Sequence, residues 1–144
     1  MSEIDRALCA ATARLLQAAR VPAAWGLALS VVAVAVLALA GRSLPMLSAM
    51  AFAAVALLGL PERYLAFRLY FDAGLFRDLA GGAIASLSDL DGALHSLGLR
   101  PAAGQARALD DRVAGARRLL QHHGIVVACQ SGLLLLALLT LDLR

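Results

Sequence analysis

Apolar residues run without a single charge through residues 22–40, 44–60 and 125–141, and each run is close to the roughly 20 helical residues that cross a bilayer's hydrocarbon. The pattern predicts three transmembrane helices. Only Gly41, Arg42 and Ser43 separate the first two runs, and Pro45 suits the first turn of a helix, so these two spans are expected to form a tight antiparallel hairpin.

Ahead of the first run the pattern becomes amphipathic. Ser2 and Asp5 make an approximate capping box, after which Ile4, Leu8, Ala11, Leu15 and Ala18 fall on one helical face, with Pro22 marking a break. Arg6, Arg14 and Arg20 surround that thin stripe. The expectation is a short N-terminal helix that lies on an anionic leaflet or docks on the protein's own polar part.

Between the second and third runs, residues 61–124 mix apolar and charged positions. A first helix extends from Glu62 to about Leu79 and is broken at Gly81-Gly82. A second, capped near Ser88, carries Leu87, Leu90, Leu94 and Leu97 and ends at Gly98; a third starts at Pro101 with Leu109, Val113, Ala116 and Leu120 on its inner face. The predicted fold class is therefore all-α: three transmembrane helices, an N-terminal amphipathic helix, and a helical-hairpin cytoplasmic insert between the second and third spans. The segments are 1–21, 22–60, 61–124 and 125–144.

Composition reinforces this reading. The 144 residues are 61% hydrophobic, against about 45–50% in soluble domains. All 13 basic residues are Arg, which suggests a GC-rich bacterial genome and weakens any special meaning of Arg over Lys. Ala38-Leu39-Ala40 has the form of a signal-peptidase site, but the preceding apolar stretch exceeds the usual 7–15 residues, so a retained span is expected. Arg residues crowd the flank before the first span and the segment between the second and third; only Arg42 and Arg144 lie on the other side. That asymmetry predicts a bacterial inner-membrane protein with its N-terminus and central insert cytoplasmic and its C-terminus periplasmic. A net charge of +3 gives no indication of nucleic-acid binding. Cys9 and Cys129 belong to an amphipathic segment and an apolar span, which argues against a disulfide between them.

Candidate chemistry is sparse. His122 and His123, being adjacent, point to different helix faces and, with His95 distant, make no metal-ligand pattern; they suit the last turn before a membrane. Asp89-Leu90-Asp91-Gly92 fails as a calcium loop because Ala93 and Arg100 fill ligand positions. Aromatic and charged residues are concentrated just after the second span, where Arg63, Tyr64, Phe67, Arg68, Tyr70, Phe71, Asp72 and Phe76 make a candidate partner interface. In the third span Gly124, Ala128 and Gly132 recur every four residues, and the amide of Gln130 seeks an interhelical hydrogen bond; these four are the candidate helix-packing residues. The uncharged spans argue against a transport pathway. The sequence thus points to a noncatalytic interaction, scaffold or accessory subunit without cofactor or metal, its partners being membrane lipids and a membrane protein or further copies of itself. The alternative is a minimal homo-oligomeric transporter or pore.

Overall fold

The computed structural model describes residues 1–99 and 108–141. Among these the chain is 86% helical with no strand. Its elements are α1 (Glu3–Ala18), α2 (Arg20–Ala40), α3 (Met46–Gly81), α4 (Leu87–Ser96) and α5 (Leu109–Leu139). Three helices are long and apolar enough to cross a membrane: Glu3–Ala40, which joins α1 to α2, then α3 and α5. The expected third-helix start at Pro101 and the C-terminal Arg144 lie outside the described residues.

Two compact units form, one from Met1–Ala18 with Leu69–Arg118, the other from Ala19–Arg68 with Leu119–Arg144. In the first, Ser2 and Asp5 cap α1 reciprocally, the Ser2 N–H donating to Asp5 Oδ2 at 2.8 Å and the Asp5 N–H to Ser2 Oγ at 3.1 Å. The Ser2 backbone N–H, and after it the Ser2 hydroxyl, stabilise the ionised carboxylate and hold Asp5 below its ordinary acidity range. The face of α1 that is buried carries Cys9, Thr12, Ala13 and Leu16. The apolar stripe read from the sequence lies outside this buried face, with Ile4 80% exposed and Leu15 45%. Burial pushes the Cys9 thiol up. Pro22 does not end a helix either, because it occupies the first turn of α2, where its missing N–H has no intrahelical partner to lose.

The α3 portion of this unit buries Leu69, Ala73, Phe76 and Leu79 and stops at Gly82, whose φ of +77° suits a residue without a Cβ. The cap of α4 is Ser86 rather than Ser88: Ser86 Oγ accepts from the Asp89 N–H at 3.1 Å, and the Ser88 hydroxyl lies 2.7 Å from it. Arg112 on α5 pairs with Asp91 on α4, fastening that short helix, and Leu90 supplies its buried apolar contact.

The second unit is built from α2 and parts of α3 and α5. Leu29, Ala33, Ala51, Phe52, Val55 and Ala137 form its apolar core. Buried positions in α3 recur at alternating steps of four and three residues through Ser48, Phe52, Val55, Gly59, Glu62 and Ala66. This 3.5-residue period is that of coiled-coil packing, in which each inward side chain seats between those of the facing helix. α3 does not end at Pro61, which lies on an exposed face inside the helix. One hydrogen bond to the Leu57 carbonyl is forgone there, and packing on both sides of the gap carries the helix on.

Candidate functional site

The period that builds the second unit also turns a set of polar side chains inward. Glu62 lies seven residues after Val55 in α3, and His123 seven before Gln130 in α5, so each follows its helix's buried row. Glu62, His123 and Gln130 all have no solvent exposure. Opposite them α2 presents Gly26, where an added Cβ would come within 2.9 Å of Glu62 Cγ and Cδ and 3.1 Å of Gln130 Oε1. Glycine at this position lets a carboxylate and an amide lie directly on the α2 backbone.

Glu62 is the centre of the cluster. Its Oε1 accepts from Arg63 Nη2 at 2.7 Å and lies 3.0 Å from His123 Nε2, while Oε2 accepts from Arg63 Nε at 2.5 Å. Arg63 Nη2 also donates to the Ala23 carbonyl of α2. The guanidinium grips the carboxylate with two donors, the fork geometry of a bidentate pair. A carboxylate oxygen already accepting from Arg63 accepts here too, so Nε2 of His123 is the donor of that bond. Nδ1 of His123 has no hydrogen-bond partner.

Gln130 completes the network toward the core. Its Nε2 donates to Ser30 Oγ at 3.0 Å and to the Val55 carbonyl at 3.3 Å. A carbonyl accepts only, which fixes the amide's orientation and leaves Oε1, also unpartnered, beside Gly26 and Glu62. Ser30 in turn donates to the Gly26 carbonyl at 3.0 Å. Two further bonds link helices of this unit: Trp25 Nε1 donates to Ser131 Oγ at 3.1 Å, and the Ser48 and Thr140 hydroxyls meet at 2.9 Å.

The residues singled out from sequence divide. Gln130 makes the interhelical bond its amide demands, but Gly124, Ala128 and Gly132 lie exposed on another face, since two residues of helix separate Ala128 from Gln130 by about 200°. Of the aromatic and charged set, Tyr64, Phe67 and Arg68 face outward, with Arg68 Nη1 donating to Tyr64 Oη at 3.3 Å. Tyr70 and Phe71 are also exposed and Asp72 is half-buried, whereas Phe76 packs inside and Arg63 is committed to Glu62. Among the described residues no group of three acidic, His or Cys side chains converges as a metal site. Sequence reading missed Glu62 and His123; the seven-residue steps from Val55 and to Gln130 were the available signal.

What this arrangement does chemically is hold the Glu62 carboxylate and the His123 imidazole away from solvent inside three packed helices, with His123 Nδ1 and Gln130 Oε1 lacking hydrogen-bond partners. The carboxylate of Glu62 lies against Gly26, within the apolar run 22–40, so the absence of charge along the three runs does not extend to what packs beside them. Compared with known proteins, the chain matches no family model, no curated protein and no solved structure.

Proposed function

We propose that the chain is a bacterial inner-membrane protein with three spanning helices, its N-terminus and the 61–124 segment cytoplasmic and its C-terminus periplasmic, serving as a noncatalytic scaffold or accessory subunit of a membrane complex. The Arg asymmetry supports the orientation. The observation that carries the role is the outer face of α3, where Leu57, Leu60, Tyr64 and Phe67 are 59–72% exposed and Arg68 lies beside them. Aromatics with Arg are the residue types that anchor interfaces. The stripe continues from residues inside the second apolar run to the aromatic pair beyond it, so the occupant it fits is another integral membrane protein rather than a soluble one.

A photoreactive amino acid at position 67 in intact cells tests this. One defined heteromeric adduct, weakened by Arg68→Ala, is the expected result. Adducts with lipid alone would overturn the interface. A second reading, the minimal homo-oligomeric transporter or pore, draws on the charge of Glu62 packed against the first apolar run. It predicts self-adducts at position 67 and ion flux from reconstituted vesicles that Glu62→Gln abolishes.

A further inference from the structure

We propose that one face of α5 is a binding site for an anionic phospholipid, in which Arg118 and His122 hold the headgroup phosphate and the apolar stripe beyond them seats an acyl chain. Arg118, His122, Ile125, Cys129, Gly132 and Leu136 follow one another at alternating steps of four and three residues, and all six are exposed. At about 100° per residue they fall within a sector of about 80°, so they form one continuous stripe along the helix. It lies opposite the row that turns His123, Val127 and Gln130 inward.

Polarity changes once along this stripe. Ile125 opens the third apolar run, and the stripe from there to Leu136 is uncharged. His122 and Arg118 stand about 5 Å and about 10 Å ahead of Ile125 along the axis, bracketing the headgroup layer, which is about 5–8 Å deep beyond the hydrocarbon. This placement rests on the reading of α5 as a membrane span. The charge is uncompensated within the molecule: residues 112–141 contain no Asp or Glu, and among the described residues neither Arg118 nor His122 makes a hydrogen bond or ion pair. Arg20, Arg63, Arg68 and Arg112, by contrast, all have partners. A guanidinium meets a phosphate with two parallel N–H donors, and an imidazole N–H adds a third. Farther along, Gly132 has nothing within 4 Å of an added Cβ, which leaves a notch between Cys129 and Leu136 where a hydrocarbon chain lies close to the helix. Phosphate first and hydrocarbon after it is the order of groups in a phospholipid, and the missing negative charge selects an anionic one over a zwitterionic one, whose phosphate is already matched by its own cation.

Cys129, exposed on the same stripe, gives the site a local reporter. The full chain with Cys9→Ser is labelled there with bimane and reconstituted in phosphatidylcholine containing increasing brominated phosphatidylglycerol or, in parallel, brominated phosphatidylcholine; quenching measures how often each lipid occupies the stripe. A basic side chain at an anionic membrane surface is worth about fivefold in affinity. Phosphatidylglycerol should therefore be preferred at least about fivefold, and Arg118→Gln should lower that preference about fivefold. Arg118 is exposed and unpaired, so the variant keeps its fold. Arg77→Gln removes the same charge from an exposed position on α3 and should leave the preference unchanged. Equal quenching by the two lipids, a preference that Arg118→Gln leaves intact, or one that Arg77→Gln lowers as much, would overturn the proposal while the membrane reading stands. Absence of quenching by either lipid would overturn the membrane reading of α5 and the proposal with it.

Discussion

Replacement of Gly59 by Ala should destabilise the second unit, although alanine is the better helix former. An added Cβ at position 59 would lie 2.4 Å from Ser30 Oγ and 3.0 Å from Ser30 Cβ. The hydroxyl can rotate away only by giving up its bonds to the Gly26 carbonyl and to Gln130 Nε2, and its Cβ would remain too close. Alanine's propensity gain is about 1 kcal/mol, whereas overpacking costs about 1–3 kcal/mol and each interhelical bond in a membrane protein is worth about 0.6 kcal/mol. With the one interhelical bond to Gln130 lost, the net loss is about 0.6–2.6 kcal/mol. Titration of micelle-bound protein with a denaturing detergent, followed by the helical circular-dichroism band, measures it. The sharper readout is the double variant with Ser30→Ala, which removes the clashing oxygen while Gln130 keeps the Val55 carbonyl. It should be at least about 1 kcal/mol more stable than the two single losses add up to, well beyond the roughly 0.5 kcal/mol of ordinary non-additivity. Gly124→Ala, with nothing within 4 Å of the new methyl, is the control and should cost nothing. A Gly59→Ala protein as stable as wild type, or additive behaviour with Ser30→Ala, would refute the close α2–α3 approach.

Gln130→Leu in the same titration should cost about 0.6–2 kcal/mol, since it removes the amide donor shared by Ser30 and Val55; no loss would mean the amide does not hold α5. Asp91→Ala should release α4 from Arg112, so backbone amides of Leu87–Ser96 exchange faster in deuterium while those in the apolar core do not change; unaltered exchange in α4 would remove the ion pair from the account. Asp5 should titrate below its ordinary value of 3.8, so its contribution to α1 is present above that value and fades as acid carries the solution through the folded-state pKa. Ser2→Ala keeps the backbone N–H, the larger cause, and removes only the hydroxyl, so it should raise that carboxyl part of the way, measurable by carbon NMR; an Asp5 that titrates at its ordinary value in the wild type would sink the capping explanation.

The three long helices were legible because bilayer-length apolar runs without charge have few other uses. The stop at Gly82 was legible too, since a left-handed φ calls for glycine. The inner face of the N-terminal helix was not. Of its large apolar residues Ile4 and Leu15 are exposed and Leu16 is buried, alongside the small Cys9, Thr12 and Ala13. Close helix approach selects small side chains, so hydrophobic size misdirects the assignment. Glu62 was hidden by Pro61, which reads as a boundary although a single missing donor does not stop a packed helix. His123 was hidden by His122, because a pair of adjacent histidines reads as one solvated cluster when only one of them is turned inward.

Trp25 is the chain's single tryptophan, and its indole N–H spans from α2 to Ser131 on α5, one residue from Gly26. The unlabelled protein therefore carries its own fluorophore at the edge of the Glu62 corner. Because the indole is half exposed and held by one bond to the opposing helix, its emission wavelength and anisotropy read out whether that bond is made. Ser131→Ala supplies the broken-bond reference spectrum. Any ligand, lipid or partner that parts these two helices can thus be followed optically, in real time and without an introduced dye.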